Sequence, residues 1–204
     1  MKKIIGLAVL IGTAFGAAPG AQAADGPWMV RGRVLSMQNA NGNDPNVAGA
    51  KVELKDKVFP EVDISYFFTK NIAAELILTY PQKHDVTVQG SKIGSLKHLP
   101  PTLTAQYHFM PDATFRPYAG VGLNYTLISS VDLTVPGVQK TDVDRSSAGL
   151  AFQVGADVKM AAQWFLNLDV KKVYIKTDVK LDGTKLTTLK IDPVLASVGV
   201  GYRF

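Results

Sequence analysis

Cysteine is absent from this chain of 204 residues, and histidine occurs only three times. Without cysteine the fold contains no disulfide bond, so hydrogen bonding and burial must hold it together. No segment reaches the ~18 consecutive apolar residues of a membrane-spanning helix, which excludes a helical membrane protein. The histidines show no ligand spacing such as His-x-x-x-His, and the sequence therefore predicts neither a metal site nor a cofactor.

Charge of either sign is limited and scattered along the chain. The sequence has 22 basic and 17 acidic residues, for a formal net charge of +5. A small, dispersed excess of this kind argues against nucleic acid as a partner. Gly120 and Gly122 lie within an alternating segment that no helix follows, so they do not form a nucleotide-binding loop.

The amino-terminal residues have the organisation of an export signal. Two lysines precede an apolar stretch over residues 4–14, and Ala21-Gln22-Ala23 supplies the small-x-small pattern of a cleavage site. The apolar stretch is shorter than the ~20 residues of a spanning helix. We therefore predict a cleaved signal peptide over residues 1–23 and a single exported domain over residues 24–204.

Strict alternation of apolar and polar or small residues dominates the rest of the chain. At its end, Tyr202 and Val200 alternate with Arg203, Gly201 and Gly199. Such a period of two is typical of a β-strand whose two faces meet different surroundings. Eight segments of this kind are predicted at about residues 28–38, 58–69, 72–80, 102–109, 117–127, 150–159, 166–172 and in the segment that ends at residue 204. The alternation blurs at Lys172, where we expect a bulge or the edge of the hydrocarbon.

Long and short connections take turns between the eight segments. The long ones are expected as loops at about residues 39–57, 81–99, 129–147 and 177–190. With both termini at the short-turn end, this order is typical of a barrel with periplasmic turns and extracellular loops. Lipid cannot satisfy an open sheet edge, so the sheet must close. We predict an all-β protein, an eight-stranded antiparallel transmembrane β-barrel in the bacterial outer membrane.

A soluble barrel or sandwich is the alternative fold. It leaves unexplained why aromatic residues concentrate at both ends of the segments, where a membrane barrel places its two interfacial girdles. Trp28, Tyr66 and Trp164 fall near the short-turn end, and Tyr80 and Tyr174 fall near the long-loop end. The membrane barrel is therefore the favoured interpretation.

Several motifs together resemble the OmpW family of small outer-membrane barrels. They are Pro27-Trp28-Met29-Val30-Arg31, Leu99-Pro100-Pro101-Thr102-Leu103, Gln106-Tyr107-His108-Phe109, Arg116-Pro117-Tyr118-Ala119-Gly120-Val121-Gly122, Trp164-Phe165-Leu166-Asn167-Leu168-Asp169-Val170, Ile191-Asp192-Pro193 and Gly201-Tyr202-Arg203-Phe204. The resemblance spans nearly all of the exported chain. It implies an eight-stranded barrel with a narrow apolar channel for small hydrophobic molecules, together with lateral release into the bilayer. Lys171-Lys172 departs from the family, whose channel often has aromatic residues there.

The inward-facing positions divide by depth into a charged set and an apolar set. The charged set lies toward the periplasmic end and comprises Arg31, Arg33, Glu61, Asp63, Glu75, Asp157, Lys159, Asp169, Lys171 and Arg203. The apolar set is the expected channel lining, namely Leu35, Met37, Ile77, Ile128, Val173, Ile175 and Leu195. We expect the charges to pair into a floor that blocks ions, because buried charges need partners.

Eight strands leave little interior space, so the lumen can hold at most one small solute. An apolar upper lumen above a layer of paired charges favours capture of an apolar solute and its lateral release. Alternatively, the charges merely fill the interior of a structural barrel. Pro100 and Pro101 begin the fourth segment and cannot donate to a neighbouring strand. They predict a lateral gap between the third and fourth strands, unless they serve only to end the preceding loop.

Taken as a whole, the pattern favours a passive, porin-like channel for small hydrophobic solutes in the Gram-negative envelope. The alternative is a structural or adhesion-type barrel that acts through its extracellular loops. A hydrolase is a remote third, because Ser65 and His108 share the lumen, and we predict no enzyme activity. Expected partners are outer-membrane lipid and lipopolysaccharide, periplasmic chaperones and the barrel-assembly machinery, with Tyr202 and Phe204 as the assembly signal.

Overall fold

The computed structural model describes residues 26–38, 42–43, 52–54, 56–88, 91–133, 141–181 and 184–204. The predicted signal peptide, residues 1–23, lies outside these ranges. Within them all regular elements are β-strands. This part of the chain also holds no helix of the length and apolarity that a membrane crossing demands.

Fifteen strands are numbered in chain order. They are β1 (Trp28–Gln38), β2 (Gly42–Asn43), β3 (Val52–Leu54), β4 (Lys57–Phe67), β5 (Ile72–Leu78), β6 (Gln82–Val88), β7 (Ser91–Leu99), β8 (Thr102–His108), β9 (Phe115–Leu133), β10 (Thr141–Val143), β11 (Ser146–Lys159), β12 (Trp164–Val173), β13 (Lys176–Leu181), β14 (Thr184–Lys190) and β15 (Val194–Arg203). The eight predicted segments correspond to β1, β4, β5, β8, β9, β11, β12 and β15.

These eight strands close into an antiparallel barrel in the order β1, β4, β5, β8, β9, β11, β12, β15. Pairing of β9 with β11 and of β15 with β1 completes the ring. Where the first and last strands meet, the Trp28 amide donates to the Phe204 carbonyl at 3.0 Å and the Phe204 amide donates to the Trp28 carbonyl at 2.8 Å. The prediction of an all-β, eight-stranded antiparallel barrel is confirmed.

The long connections differ from the loops that the sequence predicted. β6 and β7 form a hairpin whose ladder runs from Gln82↔His98 to Val88↔Ser91, and β7 continues onto β9. β10, β13, β14 and β2 form a second, four-stranded sheet. The described parts of these connections are therefore largely strands. Alternation did not reveal them because residues 82–85 are all polar and the apolar residues that follow, at positions 86, 88, 93, 96 and 99, keep no steady period of two.

Alternation sorts side chains between the two faces as predicted. On β1, Met29, Arg31 and Arg33 are buried, whereas Trp28 and Val34 are 44% and 58% exposed. The same rule holds around the ring, where most of the large apolar side chains of the barrel strands point outward. Such an extensive apolar exterior is the surface that a bilayer covers.

Outward aromatic residues contact one another at the short-turn end. Trp28 and Tyr66 have ring centroids 4.7 Å apart, and Trp164 and Tyr202 are 4.9 Å apart. The Tyr202 hydroxyl also donates to Gln163 at 2.6 Å. Rings with one polar tip suit the boundary between hydrocarbon and water.

The strand register stays regular at Lys172, where the sequence predicted either a bulge or the edge of the hydrocarbon. The β11–β12 ladder passes through Lys172↔Phe152 and Val173↔Ala151 without a shift, so the bulge is wrong. Lys172 instead points outward above Val170 and donates to the main-chain carbonyl of Asp192. An outward lysine that finds a polar partner agrees with the hydrocarbon ending at this height.

Candidate functional site

The barrel register places opposite charges face to face in the lumen. β1 pairs with β4 so that Arg31 lies opposite Asp63 and Arg33 lies opposite Glu61. Directly opposed residues on one face of an antiparallel pair are within contact distance. Two arginines on one strand and two carboxylates on the next thus form the nucleus of a charged layer, which we call the floor.

Arg31 is fully buried and joins three other strands of the barrel. Its Nε and Nη2 donate to the two carboxylate oxygens of Asp157 on β11, at 3.1 and 2.7 Å. Its Nη1 lies 3.1 Å from Asp63 on β4 and 3.4 Å from Glu75 on β5, and it donates to Ser65 at 2.7 Å. A two-point contact with a carboxylate is the strongest form that an arginine makes.

Arg33 and Lys171 complete the ion pairs of the floor. Arg33 lies 2.9 Å from Glu75, 3.1 Å from Glu61 and 3.2 Å from Asp63. Lys171, on β12, reaches Glu61 at 2.6 Å and Asp169 at 3.1 Å. Each of the five floor carboxylates therefore contacts at least one buried cation, which offsets the cost of removing these charges from water.

Neutral polar side chains donate further hydrogen bonds to the floor carboxylates. Gln153 donates to Glu75 at 2.8 Å and to Asp169 at 2.7 Å. The Tyr118 hydroxyl donates to Asp169 at 2.8 Å, and Asn167 donates to Asp157 at 2.8 Å. The sequence placed these residues inside the barrel by parity, but their part in the floor depends on which strands face each other across the lumen.

Two glycines on β15 make room for the arginines. Gly199 pairs with Arg33, and Gly201 pairs with Arg31. A Cβ atom on Gly199 would lie 2.8 Å from the Arg33 Cγ, and one on Gly201 would lie 3.1 Å from the Arg31 Cγ. Any side chain here would displace the arginine stems, so the alternating glycines of the last strand are required by the floor.

An apolar lid, which the sequence did not predict, closes the lumen on the periplasmic side of the floor. It consists of Met29, Phe67, Ala73 and Phe165, all buried and in mutual contact. The guanidinium of Arg203 lies 3.7 Å from the Phe67 ring centre, and Lys159 lies 5.8 Å from that of Phe165. Arg203 and Lys159, expected in the charge network, thus contact the lid. Parity alone could have placed Phe67 and Phe165 inside.

A narrow, mostly apolar cavity of about 20 Å³ lies on the extracellular side of the floor. Its lining is Leu35, Met37, Phe59, Glu61, Ile77, Thr79, His98, Pro100, Thr102, Asn124, Lys171, Val173, Ile175, Pro193 and Leu195. Six of the seven predicted channel residues are among them. The seventh, Ile128, is buried on β9 and does not line this cavity. Phe59 and Pro193 are additions that inward parity could have supplied.

The wall beside this cavity is interrupted between the third and fourth barrel strands. The β5–β8 ladder ends at Ile77↔Thr102, and the β6–β7 ladder starts at Gln82↔His98. Residues 78–81 and 99–101 lie between these two pairs, and no backbone pairing joins them within the described chain. We call this interruption the seam.

The seam separates the fourth strand from β5 but not from β9. Asn124 on β9 donates to the carbonyls of Pro100 and Pro101 at 3.2 and 3.3 Å, and the Tyr125 amide donates to the Pro101 carbonyl at 3.0 Å. The prolines have no amide hydrogen to offer in the other direction. Pro100 also lines the cavity, so the seam and the cavity are adjacent.

Ser65 and His108 do not form a catalytic pair. The Ser65 hydroxyl accepts from Arg31, whereas the His108 Nε2 lies 3.2 Å from Gln106 Oε1. A nucleophilic serine needs its base within hydrogen-bond reach. In the part of the chain that the structure describes, no group of three His, Cys, Asp or Glu residues is arranged to hold a metal ion.

The fold and its interior define a class of protein: a small, closed outer-membrane β-barrel with a plugged floor and an apolar upper lumen. The chain belongs to the OmpW family, whose family model matches residues 24–204. The resemblance deduced from its motifs is confirmed, and so is its outer-membrane location.

Known relatives cover almost the whole chain. Outer membrane protein W of Vibrio cholerae is 34% identical over 219 residues, which span 100% of this chain and 99% of that protein. An uncharacterised outer-membrane protein of Sinorhizobium fredii is 43% identical over 195 residues, 92% of this chain and 84% of that one. The crystal structure of OprG from Pseudomonas aeruginosa matches with a TM-score of 0.78 at 25% identity, covering 91% and 99% of the two chains.

Proposed function

We propose that this barrel is a passive channel that takes up small hydrophobic molecules from the outside and releases them sideways into the outer membrane. The observation that carries the proposal is the position of the apolar cavity, which lies above a closed floor and beside the seam. A solute that enters this cavity meets apolar side chains on most sides, and the nearest interruption of the wall leads to lipid.

The floor and the lid argue against passage along the barrel axis. An apolar solute moving straight through would have to part Arg31 and Arg33 from their carboxylates, and each separated charge would then be buried without a partner. Below the floor it would also meet the packed rings of Phe67 and Phe165. The same two layers oppose the flow of ions.

The seam is the place where the wall can open at least cost. The resting cavity has room for roughly one water molecule, so a solute requires movement of the lining. Segments with few backbone hydrogen bonds open more readily than paired strands. Residues 78–81 and 99–101 lack a ladder between them, and Asn124 keeps the proline side anchored to β9 while the other side moves.

Export and assembly belong to the same proposal. We infer that residues 1–23 are removed as a signal peptide and that Tyr202 and Phe204 are read by periplasmic chaperones and the barrel-assembly machinery. Lipid and lipopolysaccharide then surround the outward apolar surface, and no enzymatic step takes part.

A reversible crosslink across the seam tests the route. In Leu78→Cys with Pro101→Cys, the new thiols occupy the first positions beyond the Ile77↔Thr102 pair, in a chain that has no other cysteine. The matched control is Leu168→Cys with Val198→Cys, a paired outward position in an intact ladder. Both proteins are expressed in cells that lack their own copy of the barrel, and uptake of a labelled alkane is measured.

Oxidation of the variant with the seam cysteines should abolish the uptake of alkane, and reduction should restore it. The variant with the control cysteines should take up alkane in both its oxidised and its reduced form. Equal uptake by the oxidised and reduced seam pair would contradict lateral release. If the folded, inserted protein gives no more uptake than cells without it, the channel is refuted and the structural or adhesion-type alternative is favoured.

A further inference from the structure

Two buried polar groups at the seam have hydrogen-bonding capacity that the described chain does not use. Thr79 lines the cavity, and its hydroxyl oxygen is shielded from solvent and has no partner among the described residues. Gln82 is completely buried, and its Oε1 likewise accepts no hydrogen bond. Buried polar groups in native proteins are nearly always satisfied, so two open ones within four residues point to a ligand or to water.

The orientation of the Gln82 amide shows which kind of group is needed. Its Nε2 donates to the Tyr80 carbonyl at 3.0 Å, which identifies the nitrogen end of the amide. The oxygen end is then the open one, and it requires a donor. A threonine hydroxyl can either donate or accept. Both requirements are met by a single hydroxyl group, which donates one hydrogen bond and accepts another.

Gln82 faces inward because of the seam itself. Between the last pair of one ladder and the first pair of the next, residues 78–81 span four positions against three for residues 99–101. The additional residue reverses the alternation, so Ile77 and Gln82 are both buried although their numbers differ in parity. An amide that a regular strand would direct toward lipid is thereby turned into the lumen beside His98.

The other residues that line the cavity give Thr79 mostly apolar surroundings. Leu35 and Met37 come from β1, Ile175 from the segment after β12, and Leu195 from β15. The charged members of the lining, Glu61 and Lys171, lie 2.6 Å apart and neutralise each other. The site therefore offers a water-sized polar corner and hydrocarbon around it, with no unpaired charge to attract an ionic solute.

We propose that the preferred cargo is an apolar molecule that carries one hydroxyl group, with the hydroxyl bound by Thr79 and the hydrocarbon part against Leu35 and Met37. Gln82 follows Thr79 along the seam but does not line the resting cavity, and its open oxygen accepts from the same hydroxyl once the seam opens. This inference rests on the proposed function and specifies its substrate class. The resting cavity already has the size of a hydroxyl group, and the hydrocarbon part occupies the space that an opening seam provides.

The test compares two solutes with one carbon skeleton, labelled n-octane and 1-octanol, at concentrations well below saturation. Their initial uptake is measured in cells that lack their own copy of the barrel, with and without this protein. The variants are Thr79→Val and Gln82→Met, which keep the shape and remove the polar group. Ser197→Ala is the matched control, because Ser197 has a buried hydroxyl oxygen without a described partner and lies on β15, outside both the cavity lining and the seam.

The unaltered protein should favour octanol over octane, and either variant should lower that ratio about fivefold, the effect of losing one hydrogen bond. Ser197→Ala should leave the ratio unchanged. If both solutes enter and neither variant changes the ratio, only water satisfies these groups, and the inference is overturned while the channel stands. If neither solute enters above background in cells with correctly inserted protein, the inference and the proposed function both fail.

Discussion

Below the level of Lys171 the lumen is held by ion pairs that tie strands across the barrel, whereas above it the lumen is lined by hydrocarbon and one wall is unpaired. Arg31 alone bonds to side chains on β4, β5 and β11. In the upper half, the side chains of Leu35, Met37 and Phe59 form a cluster that is held by apolar packing alone, inside the backbone ladder of β1 and β4. The two halves share the same strands but resist opening to different degrees.

The physical reason is the cost of separating the groups in each half. Parting buried charges leaves each of them in a medium that solvates it poorly, so the floor is stable only when nearly all of its contacts are made. Apolar contacts are individually weak and can be lost a few at a time. A barrel can therefore keep a rigid plug at one end and a wall that opens at the other.

Removing one floor arginine should cause the largest loss of stability. Arg31→Met keeps much of the side-chain volume and leaves Asp157 and Asp63 buried without this partner, for an expected cost of about 3–5 kcal/mol. The measurement is urea unfolding of the protein in liposomes. Lys70→Met is the control, because Lys70 pairs with Asp112 at the exposed periplasmic turns and should contribute at most ~1 kcal/mol. Equal losses would remove the distinction between floor and surface.

On the lipid-facing surface of the barrel, we expect the loss of unfolding free energy to depend on depth in the membrane and not on whether the floor or the cavity lies behind the substituted residue. Arginine at Leu103 on β8 or at Val198 on β15 places a charge in the apolar exterior, on strands far apart around the ring, and each should cost roughly 2–4 kcal/mol. Arginine at Phe109, beside a periplasmic turn, should cost roughly 0–1 kcal/mol. The same unfolding assay measures all three. A smaller loss at Leu103 than at Phe109 would show that the assignment of faces is wrong.

Enlarging the upper lumen should cost less stability than breaking the floor and should change transport. Leu35→Ala removes a fully buried side chain, and we expect a loss of about 2–3 kcal/mol together with faster alkane uptake through the wider cavity. Val34→Ala, which truncates a lipid-facing neighbour, is the control for both measurements. Unchanged uptake in folded Leu35→Ala would indicate that this cavity does not limit passage.

Restoring amide hydrogens at the seam should have the smallest effect on stability. Pro100→Ala combined with Pro101→Ala should shift the unfolding free energy by less than ~1 kcal/mol while slowing hydrophobic uptake, because the new amide at position 100 faces Thr79 across the seam. Amide hydrogen exchange in bilayers reports the change directly, since Thr79, whose main-chain groups face the seam, should become better protected, whereas Leu76 and Leu78, whose amides face β4, should not. Unchanged or faster exchange at Thr79 in the variant would contradict a tightened seam.

Most of the barrel could be predicted because its faces meet two different solvents. On β1, residues with odd numbers from Met29 to Met37 are buried and their neighbours face outward, as the alternation indicated. The floor residues and six of the seven channel residues followed from the same rule. The rule failed where it has no basis: β6 and β7 carry no sustained alternation of apolar and polar residues, and Gln82 lies beyond an additional residue that reverses the alternation.

The sequence by itself determined which eight strands form the barrel, which way their side chains face and where the hydrocarbon begins and ends, because each depends on the contrast between lipid and lumen along one strand. Tertiary structure decided which inward groups meet. The pairing of Arg31 with Asp157 and the packing of Phe67 in the lid depend on register and closure, which bring together residues far apart in the chain. Those distant contacts make one end of the lumen a plug, whereas the other end keeps an apolar cavity beside an unpaired stretch of wall.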